Sequence, residues 1–344
     1  MFYIAYIILG LHLININGFN SYFKNSYIKK SLYMKSNDPF YLYKTWEDTS
    51  KFMKQKARNW FIERAEKKGI KWREYLEPFK SPKAATELLL LKDILENKSM
   101  NYPNYFLKPF HGYDTGNMNW DAAKEGEGAT ISMSVNYWKD AAPEDSELWL
   151  RNNFTNTINN YTLSNPEYIL DVGSSFGIGT EFIQYAFPDS KVQGLDLSPY
   201  FVAISSFRSS IKNTNLSFIH ANAETIPLPS NTMDLITVQY LFHEVPREPT
   251  QKIMDEIYRV LKPNGTVAII DLDQERLLQG LNVNIFRRWA FEVTEPHIFE
   301  YYTTNMTELI TNSGFIDIQS NINDPLNRVW LGRKEKIKTF YNTV

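Results

Sequence analysis

The chain has 344 residues, 43% apolar and 22% charged, so it can bury the core of one large or two modest globular domains. A net charge of −2 excludes a whole-molecule electrostatic footprint for nucleic acid. The absence of cysteine excludes disulfides, thiolate nucleophiles and Cys-ligated metal centres, and the five histidines form no H-x-x-x-H pair, so no metal site is expected.

Phe2 to Ile16 is an apolar run with no charged side chain, shorter than the roughly 20 residues a membrane-spanning helix needs. Asn-, Ser-, Tyr- and Lys-rich sequence follows from Asn20 to Lys35, with no acid before Asp38. A signal-peptide core followed by a basic, acid-poor segment is a targeting pattern, so residues 1–37 are set apart as a leader. The pair resembles the bipartite leader of proteins sent through the secretory route to a secondary, apicoplast-like plastid. A plain secretory signal, a membrane anchor and a mitochondrial leader stay open. No stable transmembrane span is expected once the leader is removed.

Residues 38–160 read as a helical and irregular extension that packs on the core and shapes the acceptor site; whether it moves as a lid stays open. Aromatic and charged residues at helical spacing predict a helix over 45–68, started by Asp48 or Thr49 and ended by Gly69. A second helix is expected from Pro82 to Asn97, with Leu88, Leu89, Leu91, Ile94 and Leu95 as its buried stripe. Pro103, Pro109, Gly112 and Gly116 then break the chain into irregular structure. Lys and Arg outnumber Asp and Glu about twofold over 24–83, which reads first as a solvated helical surface. Trp120, Tyr137, Trp138, Trp149 and Tyr161 are either core between lid and sheet or the roof of an apolar pocket.

Over 161–335 the pattern changes to alternating strand, turn and helix, the mark of a doubly wound Rossmann-like α/β sheet. Strands are predicted at Tyr168–Val172, Lys191–Leu195, Leu216–His220, Leu235–Tyr240 and Thr266–Asp271, with helices at Gly177–Phe187, Pro199–Lys212 and Thr250–Leu261. Phe315–Ile322 and Arg328–Leu331 flank Asn323-Asp324-Pro325 and read as an antiparallel C-terminal hairpin, completing a seven-stranded sheet.

The first of these strands runs into Asp171-Val172-Gly173-Ser174-Ser175-Phe176-Gly177. A dinucleotide site would set a pyrophosphate against such a turn and the following helix N-terminus, and the carboxylate of Asp171 would repel it. Ser175 also stands where the second glycine of G-x-G-x-x-G belongs. An acid there suits a ligand carrying an ammonium and a sulfonium, which is S-adenosyl-L-methionine. Gly173 and Gly177 would let backbone approach its methionine part, where a Cβ would clash. Asp196, with Leu197 after it at the end of the second strand, would accept two ribose hydroxyls. Asn222 and Ala223 follow the third strand, where a short polar side chain can meet the adenine edge. Gln239 ends the fourth strand beside the same turn. Lys262-Pro263-Asn264-Gly265 leads into the fifth, with Gly265 suited to a positive φ.

The run 169–271 resembles the methyltransferase type 11, UbiE-like group of class I S-adenosyl-L-methionine-dependent methyltransferases. Tyr43-Lys44-Thr45-Trp46, Pro109-Phe110-His111-Gly112-Tyr113-Asp114, Gly116-Asn117-Met118-Asn119-Trp120, Phe242-His243-Glu244 and Thr294-Glu295-Pro296 are similar to a plastid-targeted branch of plants and algae. That resemblance implies the cofactor and the fold, and an acceptor that is small and partly apolar, such as an aromatic or quinone-like precursor methylated on carbon or oxygen. Where relatives have a third loop glycine this chain has Ser175, and Asn222 stands where an acid is common.

His243 and Glu244, just past the fourth strand, are the catalytic candidates: methyl transfer needs alignment of nucleophile and methyl, plus a base where the acceptor is a phenol, enol or activated carbon. A packing role for His243 is the competing reading. Asp271 and Asp273 end the fifth strand on the same rim, as helix caps or as substrate contacts. Rival functions are an RNA methyltransferase of the same fold, which would lack an N-P-P-Y-type motif here, a nicotinamide oxidoreductase, and a non-catalytic S-adenosyl-L-methionine-binding scaffold without turnover.

Overall fold

The structure, a computed structural model, describes residues 51–135, 138, 141–282, 288, 291–292 and 295–336. The leader, Asp48, Thr49, Tyr43 to Trp46, Tyr137 and Thr294 lie outside the described residues.

Seven strands form one sheet: β1 Tyr168–Val172, β2 Lys191–Asp196, β3 Ser217–His220, β4 Met233–Gln239, β5 Leu261–Leu272, β6 Phe315–Ile322 and β7 Asn327–Lys334, in the order β3-β2-β1-β4-β5-β7-β6. The β3-to-β5 half is parallel, and β7 pairs antiparallel with both β5 and β6. The central strands are short apolar runs buried on both faces, as a parallel sheet covered by helices requires. Ligand sites in such sheets lie outside the carboxyl ends of the strands where the order reverses, here between β1 and β4.

Around the sheet lie α1 Lys51–Lys67, α2 Trp72–Tyr75, α3 Pro82–Leu95, α4 Trp120–Ser134, α5 Pro143–Tyr161, α6 Ile178–Ala186, α7 Pro199–Lys212, α8 Arg247–Val260, α9 Gln274–Asn282, α10 Ile298–Tyr302 and α11 Met306–Asn312. Local chemistry sets their starts. Ser198 caps α7 by accepting from the Phe201 N–H, with Pro199 in the first turn, and Asn119 caps α4 by accepting from Ala122 at 2.8 Å. On α8, Ile253, Met254, Ile257 and Val260 form the buried stripe against the sheet.

The extension shares its core with the sheet. Phe154, Ile158 and Tyr161 of α5 pack with Ile169 and Ile183, and Ala122 and Ala123 of α4 pack with Ile204 and Phe207 of α7. Two glycines within α4, each costing about 1 kcal/mol of helix propensity, are explained by close approach. A Cβ on Gly126 would lie 2.0 Å from the Phe176 ring, and one on Gly128 would lie 2.5 Å from the Trp72 ring.

Several expectations are corrected. On α3 only Ala84 and Leu88 are fully buried, with Leu91 and Leu95 half-buried behind them, whereas Leu89 and Ile94 are 60% and 66% exposed. The contact stripe follows 84, 88, 91 and 95, a narrower face than a run of leucines implies. In the irregular first residues of β5, which starts at Leu261 rather than Thr266, the left-handed residue is Asn264, φ 65°, not Gly265; a Cβ on Gly265 would instead meet the Lys262 carbonyl at 2.7 Å. Trp120 stands edge-on to Tyr200 and Trp138 edge-on to Trp149, so these aromatics brace the extension.

Candidate active site

A cavity opens at the carboxyl ends of β1, β2 and β4. Asp171, Gly173, Ser175, Asp196, Leu197, Asn222, Ala223 and Gln239 all line it.

The glycine turn works through backbone. Gly173 has φ +73°, and its N–H and that of Ser174 both donate to the Leu195 carbonyl, which bends the chain from β1 across the end of β2. Ser175 is left-handed at φ 51°, a conformation costly for a residue with a Cβ, and its N–H then donates to Asp196 Oδ2 at 2.8 Å. Gly177 stands apart from the cavity. It begins α6 at φ +88°, and a Cβ there would meet Ser205 at 2.9 Å, so it is a packing glycine rather than a contact to the methionine part. Gly179 does line the cavity, and a Cβ there would lie 2.6 Å from the Gln239 amide.

Asp196 receives Ser175 N–H on one oxygen and Ser198 N–H on the other, each at 2.8 Å. Burial pushes its carboxyl up to about 6, against those donated bonds. Each carboxylate oxygen keeps a lone pair for a hydroxyl. Asn222 Oδ1 accepts from Glu224 N–H at 2.9 Å, capping the turn Ala223–Thr225, and the residue lines the cavity. The Leu197 carbonyl is 3.0 Å from His220 Nε2.

Asp171 is not an open acid at the mouth of the turn. It is buried and accepts from Thr180 Oγ1 and Thr237 Oγ1, both at 2.7 Å, and from Gln239 Nε2 at 3.1 Å. Burial raises its pKa while those bonds oppose the rise. Gln239 passes the network on: its Oε1 accepts from Arg151 Nη1 at 2.7 Å, and Arg151 also donates to Glu147 at 2.9 Å and Thr130 at 3.3 Å. Arg151 lies on α5, in the extension, and is the one Lys or Arg among the described residues lining the cavity. Its sequence signal was a Glu147/Arg151 pair, four residues apart, on the same face as buried Leu150, Phe154 and Ile158.

The catalytic candidates separate. Glu244 lines the cavity, and burial pushes its carboxyl up to about 7, in the range suited to a general base. His243 is fully buried behind it, its Nδ1 2.6 Å from Asp271 Oδ1. It therefore stands behind the rim, in a packing position, and does not line the cavity. Asp271 also accepts from the Phe242 and Leu272 N–H groups, and Asp273 caps α9 through Arg276 N–H while pairing with Arg328, so neither faces the cavity.

The outer wall is built by residues 97–118, a strap from the extension. Tyr105, Phe106, Phe110 and Tyr113 line the cavity from this side, opposite Phe176, Phe201 and Tyr240. The strap is fastened where Asn97 N–H donates to His220 Nδ1 at 2.8 Å, Tyr105 to Glu224 at 2.8 Å and Ser198 to the Asn117 carbonyl at 2.7 Å.

The lining fits S-adenosyl-L-methionine: a strand-end carboxylate with spare lone pairs, a turn where backbone is bare, and a buried Ser174 hydroxyl without a partner. Among the described residues no cluster of His, Asp or Glu has the arrangement of a metal site, and no helix is long and apolar enough to cross a membrane.

Residues 170–269, from β1 through most of β5 and including the glycine turn, match the methyltransferase domain family. Similar curated proteins include a demethylmenaquinone methyltransferase from Geobacillus, 34% identical over 26% of this chain and 38% of that protein. Another, from Thermus thermophilus, is 26% identical over 31% of this chain and 47% of that protein. The chain thus spans less than half the length of the curated relatives it matches. A solved S-adenosyl-L-methionine-dependent methyltransferase from Aquifex aeolicus is 22% identical over 55% of this chain and 92% of its own, with a TM-score of 0.44.

Proposed function

We propose that this protein transfers the methyl group of S-adenosyl-L-methionine to a small, partly apolar acceptor, on carbon or oxygen. The observation that carries the reading is Asp196: a strand-end carboxylate tied to the glycine turn by Ser175 and facing the cavity. In this reading Asp196 takes the ribose hydroxyls, Asn222, Ala223 and Leu197 border the adenine, and the bare backbone at Gly173 admits the methionine part. Asp171 and Gln239 hold that end of the pocket, and Arg151 brings the positive charge that attracts its carboxylate.

Methyl transfer from a sulfonium needs alignment more than activation. The aromatic wall of Tyr105, Phe106, Phe110 and Tyr113 supports a flat apolar acceptor stacked against it. The relatives named as demethylmenaquinone methyltransferases support a quinone-like ring. Glu244 is placed to take a proton from an acceptor hydroxyl or activated carbon, with His243 and Asp271 holding the segment behind it. The basic, acid-poor leader supports delivery to a plastid.

The test is calorimetric binding of S-adenosylhomocysteine, followed by methyl transfer from labelled S-adenosyl-L-methionine to a panel of hydroquinones and phenols. Binding with turnover supports the reading. Binding without turnover on any acceptor favours a scaffold, and absence of binding by folded protein rejects both.

A further inference from the structure

Outside the methyltransferase domain, Phe110 to Tyr113 make a two-residue hairpin. Phe110 and Tyr113 exchange both backbone hydrogen bonds, at 3.1 and 2.8 Å, and the central residues His111 and Gly112 have φ of 53° and 82°. This is a mirror-image turn of the type that favours Asn-Gly, yet its first central residue is a histidine. The strained backbone puts the imidazole on the cavity wall, with Nε2 3.3 Å from Glu244 Oε1 and 3.6 Å from Glu295 Oε1. From the other side His243 Nε2 is 3.8 Å from the same Glu244 oxygen.

The polar atoms around Glu244 are buried and unsatisfied: His111 Nε2, His243 Nε2 and both oxygens of Glu295 have no hydrogen-bond partner. Such atoms cost on the order of 1–3 kcal/mol each when orphaned, so four converging on one carboxylate need an explanation. Burial holds His111 well below its ordinary range and Glu295 well above its own. Neutral groups in this arrangement are poised to exchange a proton rather than to form fixed ion pairs. Among the described residues the other acidic neighbours of Glu244 are Asp271, committed to His243, and Asp196.

We propose that His111, supplied by the extension and backed by Glu295, is the second station of a proton relay that begins at Glu244, and that the acceptor is a neutral aromatic bearing an ionisable hydroxyl. The proposal rests on the methyl-transfer reading. The hydroxyl proton passes to a Glu244 oxygen, and the electron pair it leaves forms the new bond to the methyl carbon. The carbon–sulfur bond breaks with its pair going to sulfur. The proton moves from Glu244 to His111 Nε2 and leaves to solvent with the products. The Glu244 carboxyl on the cavity wall, with Glu295 buried behind His111, disfavours an acceptor that is itself a carboxylate or phosphate.

The probe is 4-nitrophenol, whose phenolate absorbs apart from its phenol, bound to the full chain with and without S-adenosylhomocysteine. It is read about one pH unit below the probe's own ionisation. The wild type should hold it as phenolate. His111→Asn keeps the turn, since asparagine accepts positive φ, and should reduce the bound phenolate about tenfold, the effect of one pKa unit. Glu295→Gln, which leaves the turn untouched, should shift it the same way and decides the matter if His111→Asn does not fold. No binding of the phenol, neutral phenol in the wild type, or unchanged phenolate in the folded variants would overturn the relay. Calorimetry of S-adenosylhomocysteine on the same samples judges the methyl-transfer reading separately, because the phenol is also read in its absence.

Discussion

Ser175 carries an unusual demand. It holds φ 51° and hands its N–H to Asp196. A residue with a Cβ pays about 1–2 kcal/mol for that conformation. Ser175→Gly should therefore leave the fold intact and raise stability by up to about 1 kcal/mol in chemical denaturation, the gain tempered by glycine's freer unfolded chain. Asp196 makes a prediction of opposite signs. Its carboxyl sits at about 6 in the folded protein, above the unfolded value of about 3.9. Because its folded pKa is raised, its contribution favours the folded state below pH 4 and is lost as pH rises through 6. Binding of ribose hydroxyls needs the carboxylate, so affinity for S-adenosylhomocysteine should fall about tenfold per unit as pH drops below that value. Calorimetry and denaturant melts across pH 4.5–8 (an order-of-magnitude window around the shift) would check both slopes.

At the scale of elements, α4 is the part most tightly fitted to the site. Gly126 lies against Phe176 of the glycine turn with no room for a methyl group. Gly126→Ala should gain helix propensity yet cost about 1–3 kcal/mol overall through overpacking, and should weaken S-adenosylhomocysteine binding because the turn must shift. Gly280→Ala on α9, where a Cβ meets nothing within 4 Å, is the matched control. The strands and the glycine turn were legible in the sequence because each is a local pattern: Tyr168–Val172 and Phe315–Ile322 form at their predicted bounds. The buried stripe of α3 was not, because six apolar residues in eight leave the contact face undetermined until α7 packs on it. Arg151, His111 and Glu295 were hidden for a different reason. Arg151 and His111 reach the cavity from distant segments, and only tertiary contact brings Glu295, buried behind the wall, within 3.6 Å of His111. Gly177 was read correctly as a special backbone position and wrongly as a cavity contact, since sequence does not say which neighbour a missing Cβ would strike.

Across the whole molecule, the sheet and its loops supply one wall of the site and the extension supplies the other. Arg151 crosses from α5 to Gln239, and residues 97–118 clasp the ends of β2 and β3. Arg151→Ala should accordingly damage both stability and binding, by roughly 3–5 kcal/mol in denaturation, because it strands buried Glu147 and removes the support of Gln239. Arg151→Lys should restore charge but not the forked contacts, and recover binding only in part. The most direct measurement is titration of S-adenosylhomocysteine into the wild type and into Asp196→Ala by calorimetry, with folding of both verified by circular dichroism. Saturable binding by the wild type that is lost in the folded variant is the expected result. Equal binding by the two proteins, or none by the wild type, would contradict the assignment of this cavity as the methyl-donor site.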